Sequence, residues 1–144
     1  MKYLKLYENF NDPITENNKK ANEIVDDIKS IAYILEDEGF ELKYEFLNRY
    51  KNIKGKFVSR DSINVDDYYS IPLKSIINSI QIKITGNTIT NPITFQMTLT
   101  DKAKETIDKY IQLLKEHLDY IDPNNITTQK SLMGNTNIII NINK

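Results

Sequence analysis

Leu35-Glu36-Asp37-Glu38-Gly39-Phe40-Glu41-Leu42-Lys43-Tyr44-Glu45-Phe46 is the stretch whose reading decides the fold. The hydrophobic period changes at its glycine. Upstream, Ala21, Ile24, Val25, Ile28, Ile31, Ala32 and Leu35 recur at helical spacing and form one apolar stripe, with Glu23, Asp26, Asp27 and Lys29 off it. Downstream, Phe40, Leu42, Tyr44 and Phe46 alternate with Glu41, Lys43 and Glu45, the pattern of a half-buried strand. Gly39 stands where a left-handed helix cap is needed. The spacing predicts a helix from about Pro13 to Glu38, capped by Asp12, with Pro13 at the first position where its missing N–H costs nothing.

Working outward, Lys51 to Gly55 reads as a turn and Lys56 to Arg60 as a second strand. Asp61 to Asn78 carries no clear period, and Pro72 is placed to open a short helix through Ile76 and Ile77. Ile80, Ile82 and Ile84 predict a strand ending at Gly86-Asn87. Ile93, Phe95, Met97 and Leu99 predict its partner, after a bend at Asn91-Pro92. Thr100 can cap a second helix, with Asp101 favourably placed in its first turn. Its stripe is Ala103, Ile107, Tyr110, Ile111, Leu114, Leu118 and Ile121, and Asp122-Pro123 ends it. Ile138, Ile140 and Ile142 suggest a closing strand.

Two amphipathic helices need a surface to cover, and strands with one polar face have the complementary need. The expected fold is therefore a single α+β domain over residues 1–144. It has two layers, a mainly antiparallel sheet of four to six strands with both helices on one face. A further strand over Tyr3 to Tyr7 would make the order resemble a ferredoxin-like β-α-β-β-α-β with an inserted hairpin.

Composition removes several classes of function. The chain has 144 residues, 27% of them charged, and a net charge of −1, so it is neither a histone-like basic protein nor an acidic tail. There is no cysteine, which removes a disulfide framework, a thiolate zinc site and a cysteine nucleophile. One histidine removes a His-rich metal site. No cofactor and no metal are expected, and no apolar run is long enough to span a membrane. Richness in Lys, Asn and Ile follows AT-rich codons. Asn124, Asn125, Asn135 and Asn137 accordingly read as turn residues or as a polar linker.

The residues able to carry chemistry are few. Glu36, Asp37 and Glu38 crowd a helix end, but consecutive helical residues point about 100° apart and do not converge. Asp66-Asp67 is a second solvated acidic pair. Glu41-Leu42-Lys43 spells half of a restriction-type nuclease site, which also needs an acid from a separate strand. His117 lies at the margin of the second helix with no partner evident in sequence. Four scattered glycines make no phosphate loop. The most functional-looking patch is Arg49, Lys51, Lys54, Lys56 and Arg60. These are five positive charges without an acid, interleaved with Tyr50 and Phe57, a composition suited to phosphates and stacked bases. A lysine-coated turn or a protected edge strand has the same composition.

The opening Met1-Lys2-Tyr3-Leu4-Lys5-Leu6-Tyr7-Glu8-Asn9-Phe10 resembles that of many small uncharacterised proteins of tailed bacteriophages. Leu35-Glu36-Asp37-Glu38-Gly39-Phe40 before an alternating strand and the late helix Ile107 to Tyr120 are similar to theirs too. The opening is also similar to the capsid-targeting peptides of internal head proteins of large tailed phages, with Leu6-Tyr7-Glu8 loosely fitting their cleavage signal. The resemblance implies a phage protein and brings no chemistry with it. Tyr3, Leu6, Tyr7 and Phe10 make residues 1–11 an arm suited to docking, and Ile138, Ile140 and Ile142 make the other end a second apolar interface candidate.

The expected function is therefore non-enzymatic: a phage protein acting by protein–protein contact, most simply an accessory part of the virion. It would work with other phage structural proteins or with itself, in the virion or the infected host's cytoplasm. Two alternatives stand beside it. One is a nucleic-acid-binding module using the basic turn 49–60, and the other an inhibitor directed at the host.

Overall fold

A computed structural model describes residues 13–51, 57–71, 75–130 and 134–142. The first helix, α1, runs Pro13–Lys29, followed by a single helical turn, α2, at Tyr33–Glu36. Strands β1 (Glu41–Lys51) and β2 (Phe57–Asn64) follow, then a 3-10 turn at Val65–Ser70. Next come β3 (Ile76–Thr85), the short strands β4 (Thr88–Thr90) and β5 (Met97–Leu99), and helix α3 (Asp101–His117). A 3-10 turn at Pro123–Asn125 leads into β6 (Ile126–Lys130) and β7 (Thr136–Asn141). The fold is α+β. Five strands form one sheet in the order β2-β1-β3-β7-β6, every neighbouring pair antiparallel, and β4-β5 form a separate two-stranded sheet.

The decisive junction folds as its residues dictate. Gly39 adopts φ +88°, and the Phe40 N–H reaches back to the Leu35 carbonyl at 3.1 Å, closing the helix end in a Schellman-type cap. Leu35 and Phe40, joined by that bond, are both buried in the core. Upstream, the predicted single long helix is broken. At Ser30 to Ala32 the backbone tightens to i→i−3 bonds, Ile31 to Ile28 and Ala32 to Lys29. The Ser30 hydroxyl donates to the Asp27 carbonyl, the local side-chain competition that weakens a helix interior. The break turns the chain so that α1 lies against β3 and α2 against α3.

Alternation on the strands sorts the sheet into two faces. Phe46, Ile80, Ile82, Ile84, Ile138 and Ile140 point to the helix side and are buried, joining Ile24, Ile28, Leu35, Tyr110 and Leu114 in one cluster. Lys43, Glu45, Gln81, Lys83, Asn137 and Ile139 take the opposite face, on which no described helix packs. Asn78 is an extra residue in β3, since Leu47 faces Ser79 and Asn48 faces Ile77.

Three expectations are corrected. Ile76 and Ile77 begin β3 and not a short helix. Residues 93–96 form a turn and not a strand. Only Met97–Leu99 is extended, and it pairs with β4, while β3 takes β1 and β7 as partners. The stretch after Asp122 is neither a linker nor only a turn, because Ile126–Lys130 forms the edge strand β6. The strand at Tyr3 to Tyr7, on which a ferredoxin-like order depends, and the Asp12 cap lie outside the described residues. Among the described residues no helix is long and apolar enough to cross a membrane.

Candidate functional site

Three places carry residues with chemistry: the ends of α1 and α3, the open face of the sheet, and the β4–β5 hairpin.

At the first, the fold unites residues 87 positions apart in sequence, Ser30 Oγ lying 3.0 Å from His117 Nε2. Tyr120 donates to Asp27 Oδ2 at 2.6 Å beside them. Serine, histidine and aspartate in one cluster invite a nucleophilic reading. The Ser30 hydroxyl donates to the Asp27 carbonyl at 2.6 Å, and the direction of its contact with His117 Nε2 follows the imidazole tautomer. A nucleophilic serine gives its proton to the imidazole. The Asp27 carboxylate is engaged by Tyr120. The cluster lies in the open at the surface and ties α1 to the end of α3. Burial first, then the bond to Asp27, holds the Tyr120 phenol above its usual pKa.

On the open sheet face, Glu45 is bridged from both sides. Ser62 of β2 donates to one carboxylate oxygen, and Lys83 of β3 lies 3.2 Å from the other. The Ser62 bond first, then Lys83, holds the Glu45 carboxyl below its usual pKa. Glu41 and Lys43, the half nuclease motif, share this face by alternation, and no group of three metal-ligating side chains occurs among the described residues. Farther along, the chain's two arginines meet in register, Arg49 of β1 opposite Arg60 of β2. Lys51 ends β1, whereas Lys54 and Lys56 lie outside the described residues.

The expected apolar interface at the chain end needs correction. Ile138 and Ile140 are fully buried in β7, which is interior to the sheet, flanked by β3 and β6, and Ile142 packs against the same core. These side chains are spent on the protein's own core and are not free for a partner. Tyr3, Leu6, Tyr7 and Phe10 lie outside the described residues.

Among the described residues, exposed apolar side chains occur singly at Tyr33, Tyr69, Leu113 and Tyr120 and are grouped at the hairpin loop Asn91 to Gln96. Ile93 is 85% exposed and Phe95 80% exposed, with Ile89 on β4 also outward. The loop is a built one. Asn91 Oδ1 accepts from the Ile93 and Thr94 N–H groups, and Asn91 and Gln96 close the base through an N–H···O bond of 2.8 Å. Phe95 donates its N–H to the Asn91 carbonyl at 2.8 Å while held at φ +58°, a conformation bulky L-residues rarely adopt. Sequence reasoning had Ile93 and Phe95 as buried strand positions. Alternation with Thr94 and Gln96 is what a half-buried strand shows, and nothing local distinguishes it from an apolar loop tip.

Compared with known proteins, the chain matches no family model, no curated protein and no solved structure.

Proposed function

We propose that this chain is a non-enzymatic bacteriophage protein that works by contact with other proteins, as an accessory component of the virion. The observation that carries the contact reading is the hairpin tip. Two large apolar side chains are presented to solvent from a hydrogen-bonded loop, one of them at a backbone angle that costs energy. Strain of order 1–3 kcal/mol is retained where a fold has a use for the geometry it imposes. Exposed aromatic and aliphatic anchors are the residues that contribute most when a partner covers them. The bond from the Ser30 hydroxyl to the Asp27 carbonyl supports the non-enzymatic half of the reading, and the resemblance of Met1 to Phe10 supports the phage assignment.

Mass spectrometry of virions from the phage that carries the gene tests the assignment. The chain should be present in purified particles at a fixed stoichiometry. The double change Ile93→Ser, Phe95→Ser should leave the circular dichroism and melting of the protein near native, because neither side chain is packed, and should remove the chain from the particles. Undiminished incorporation of that variant would refute the role of the tip.

Nucleic-acid binding is the second reading, and the register of Arg49 against Arg60 favours it. The register brings two basic positions of the segment 49–60 opposite one another, and that segment has five positive charges without an acid, a composition suited to phosphates. The protein would then retain single-stranded DNA or RNA on a filter at low salt and lose it steeply as salt rises. Arg49→Gln with Arg60→Gln would flatten that dependence. No retention by the native protein at micromolar concentration removes this reading.

A further inference from the structure

A cleft of about 310 Å³ opens between β5, the first turn of α3 and the β6–β7 connection. Its volume lies at the lower end of the range for small-molecule sites, roughly 300–1,000 Å³. Met97 and Leu99 supply apolar wall. Lys104 of α3 and Lys130 of β6 also line it, and among the described residues no acidic side chain does. Neither lysine has an ion-pair partner among the described residues. Thr136 of β7 lines the cleft as well. It is 1% exposed, and its Oγ1 is buried without a hydrogen-bond partner. A buried hydroxyl in that state costs free energy that a ligand oxygen can return.

The cleft owes its shape to Gly134. At φ +77° this residue lies so close to the hairpin that an added Cβ would stand 2.9 Å from Thr88 Cγ2 and 3.0 Å from the Met97 carbonyl oxygen. Gly134 is thereby set close against β4 and β5, and the two lysines, from separate elements, line one concavity.

From this juxtaposition of paired lysines, an unpartnered buried hydroxyl and an apolar wall, we propose that the cleft is a binding site for a small amphiphilic anion, an apolar body with one anionic head. The head takes its charge partners from Lys104 and Lys130 and a hydroxyl from Thr136. The body covers Met97 and Leu99. The cleft adjoins the hairpin loop through Gln96, but Lys104, Lys130 and Thr136 are not part of that loop, so their variants test the cleft apart from the partner-binding reading above.

Titration of the full chain with octanoate and, separately, with octyl phosphate tests it, followed by backbone amide NMR and by calorimetry near neutral pH. Saturable shifts should centre on Met97, Leu99, Lys104 and Thr136. Octanol and octylamine, with the same body and no negative charge, should bind at least tenfold more weakly. The tighter of the two acids identifies the head group. Lys104→Gln with Lys130→Gln, both at exposed positions that carry no packing, should weaken binding at least tenfold. Thr136→Val, which keeps the shape and removes the hydroxyl, should weaken it severalfold. The proposal is overturned if neither acid shifts the cleft amides at millimolar concentration, if octanol binds as tightly as octanoate, or if the double lysine variant binds like the native protein.

Discussion

Phe95 shows how a single backbone angle separates what local sequence can tell from what it cannot. Its φ of +58° is unfavourable for any residue with a Cβ, at a cost of about 1 kcal/mol or more, and its ring returns no packing at 80% exposure. Phe95→Gly should therefore stabilise the folded chain by about 1 kcal/mol, raising the melting temperature by a few degrees, while weakening any partner that uses the tip. A lower melting temperature would show that the ring packs in the free protein. Tyr44 and Tyr110 make the complementary case inside. Their hydroxyls are buried without partners. Burial first, then the Glu36 carboxylate, pushes the Tyr44 phenol up to about 12. Tyr110 is raised by burial first, then by Tyr44 and Glu36. Neutral phenols are thus what the fold holds. Below the ordinary tyrosine pKa of 10.0 folded and unfolded chains both keep these protons, and the contribution is fully present. As pH climbs from there towards 12 the unfolded chain ionises first, so stability falls. Urea midpoints should drop between about pH 10 and about pH 12, and Tyr110→Phe should reduce the drop. At this scale Gly39 and Thr100 were legible, because caps are local signals. The Thr100 hydroxyl does accept from the Ala103 N–H at 3.1 Å. The contact of Ser30 with His117 was not, because only the packing of two helices creates it.

Elements were legible wherever burial follows the period. The α3 stripe is buried at Ala103, Ile107, Tyr110, Leu114 and Leu118, with Ile111 and Ile121 partly covered, as its spacing predicts. Strand β6 escaped because only Ile126 is buried in it. Thr127 to Lys130 are exposed on an edge strand, where polar residues carry no alternation to read. The start of β3 escaped for a different reason. Asn18 of α1, a residue no sequence pattern singles out, acts there in place of a neighbouring strand. Its Nδ2 donates to the Ser75 carbonyl and its Oδ1 accepts from the Ile77 N–H, both at 2.9 Å. Asn17 adds a bond from its own Nδ2 to the Ile77 carbonyl at 2.9 Å. Helix and strand are thus joined through backbone groups that lie before the pairing of β3 with β7, which begins at Ser79. Asn18→Ala would leave the Ser75 carbonyl without that donor and remove an acceptor from the Ile77 N–H. It should cost about 2 kcal/mol in a urea titration. Asn18→Asp keeps the acceptor but sets a buried carboxylate oxygen against the Ser75 carbonyl, so it should cost at least as much. An alanine variant as stable as the native chain would show that the start of β3 is held by its strand neighbours alone.

For the whole molecule the deciding feature is where the chain end goes. An isoleucine-rich terminal strand has two outcomes, an edge open to partners or a place inside the sheet, and its sequence is the same in both. The topology takes the second, β7 lying between β3 and β6 with Thr136, Ile138 and Ile140 buried at 0–1% exposure. The five strands are then continuous only through β7, and among the described residues β6 reaches the rest of the sheet by pairing with β7. Ending the chain after Asn135 would expose Ile80, Ile82 and Ile84 of β3, remove two fully buried isoleucines and detach β6. Each isoleucine is worth about 1.5–3 kcal/mol of burial, before the lost backbone ladders are counted. That loss is of the same order as the whole stability of a domain this size, about 5–15 kcal/mol. The truncated chain should therefore fail to fold, showing no cooperative urea transition and little protection of β1 and β3 amides from hydrogen exchange. Adding a synthetic peptide of residues 136–144 should restore the transition in proportion to its concentration, since the strand's site remains defined by β3. A truncated chain that unfolds cooperatively near the native midpoint would mean that β7 is dispensable. The apolar end would then be available to another chain after all.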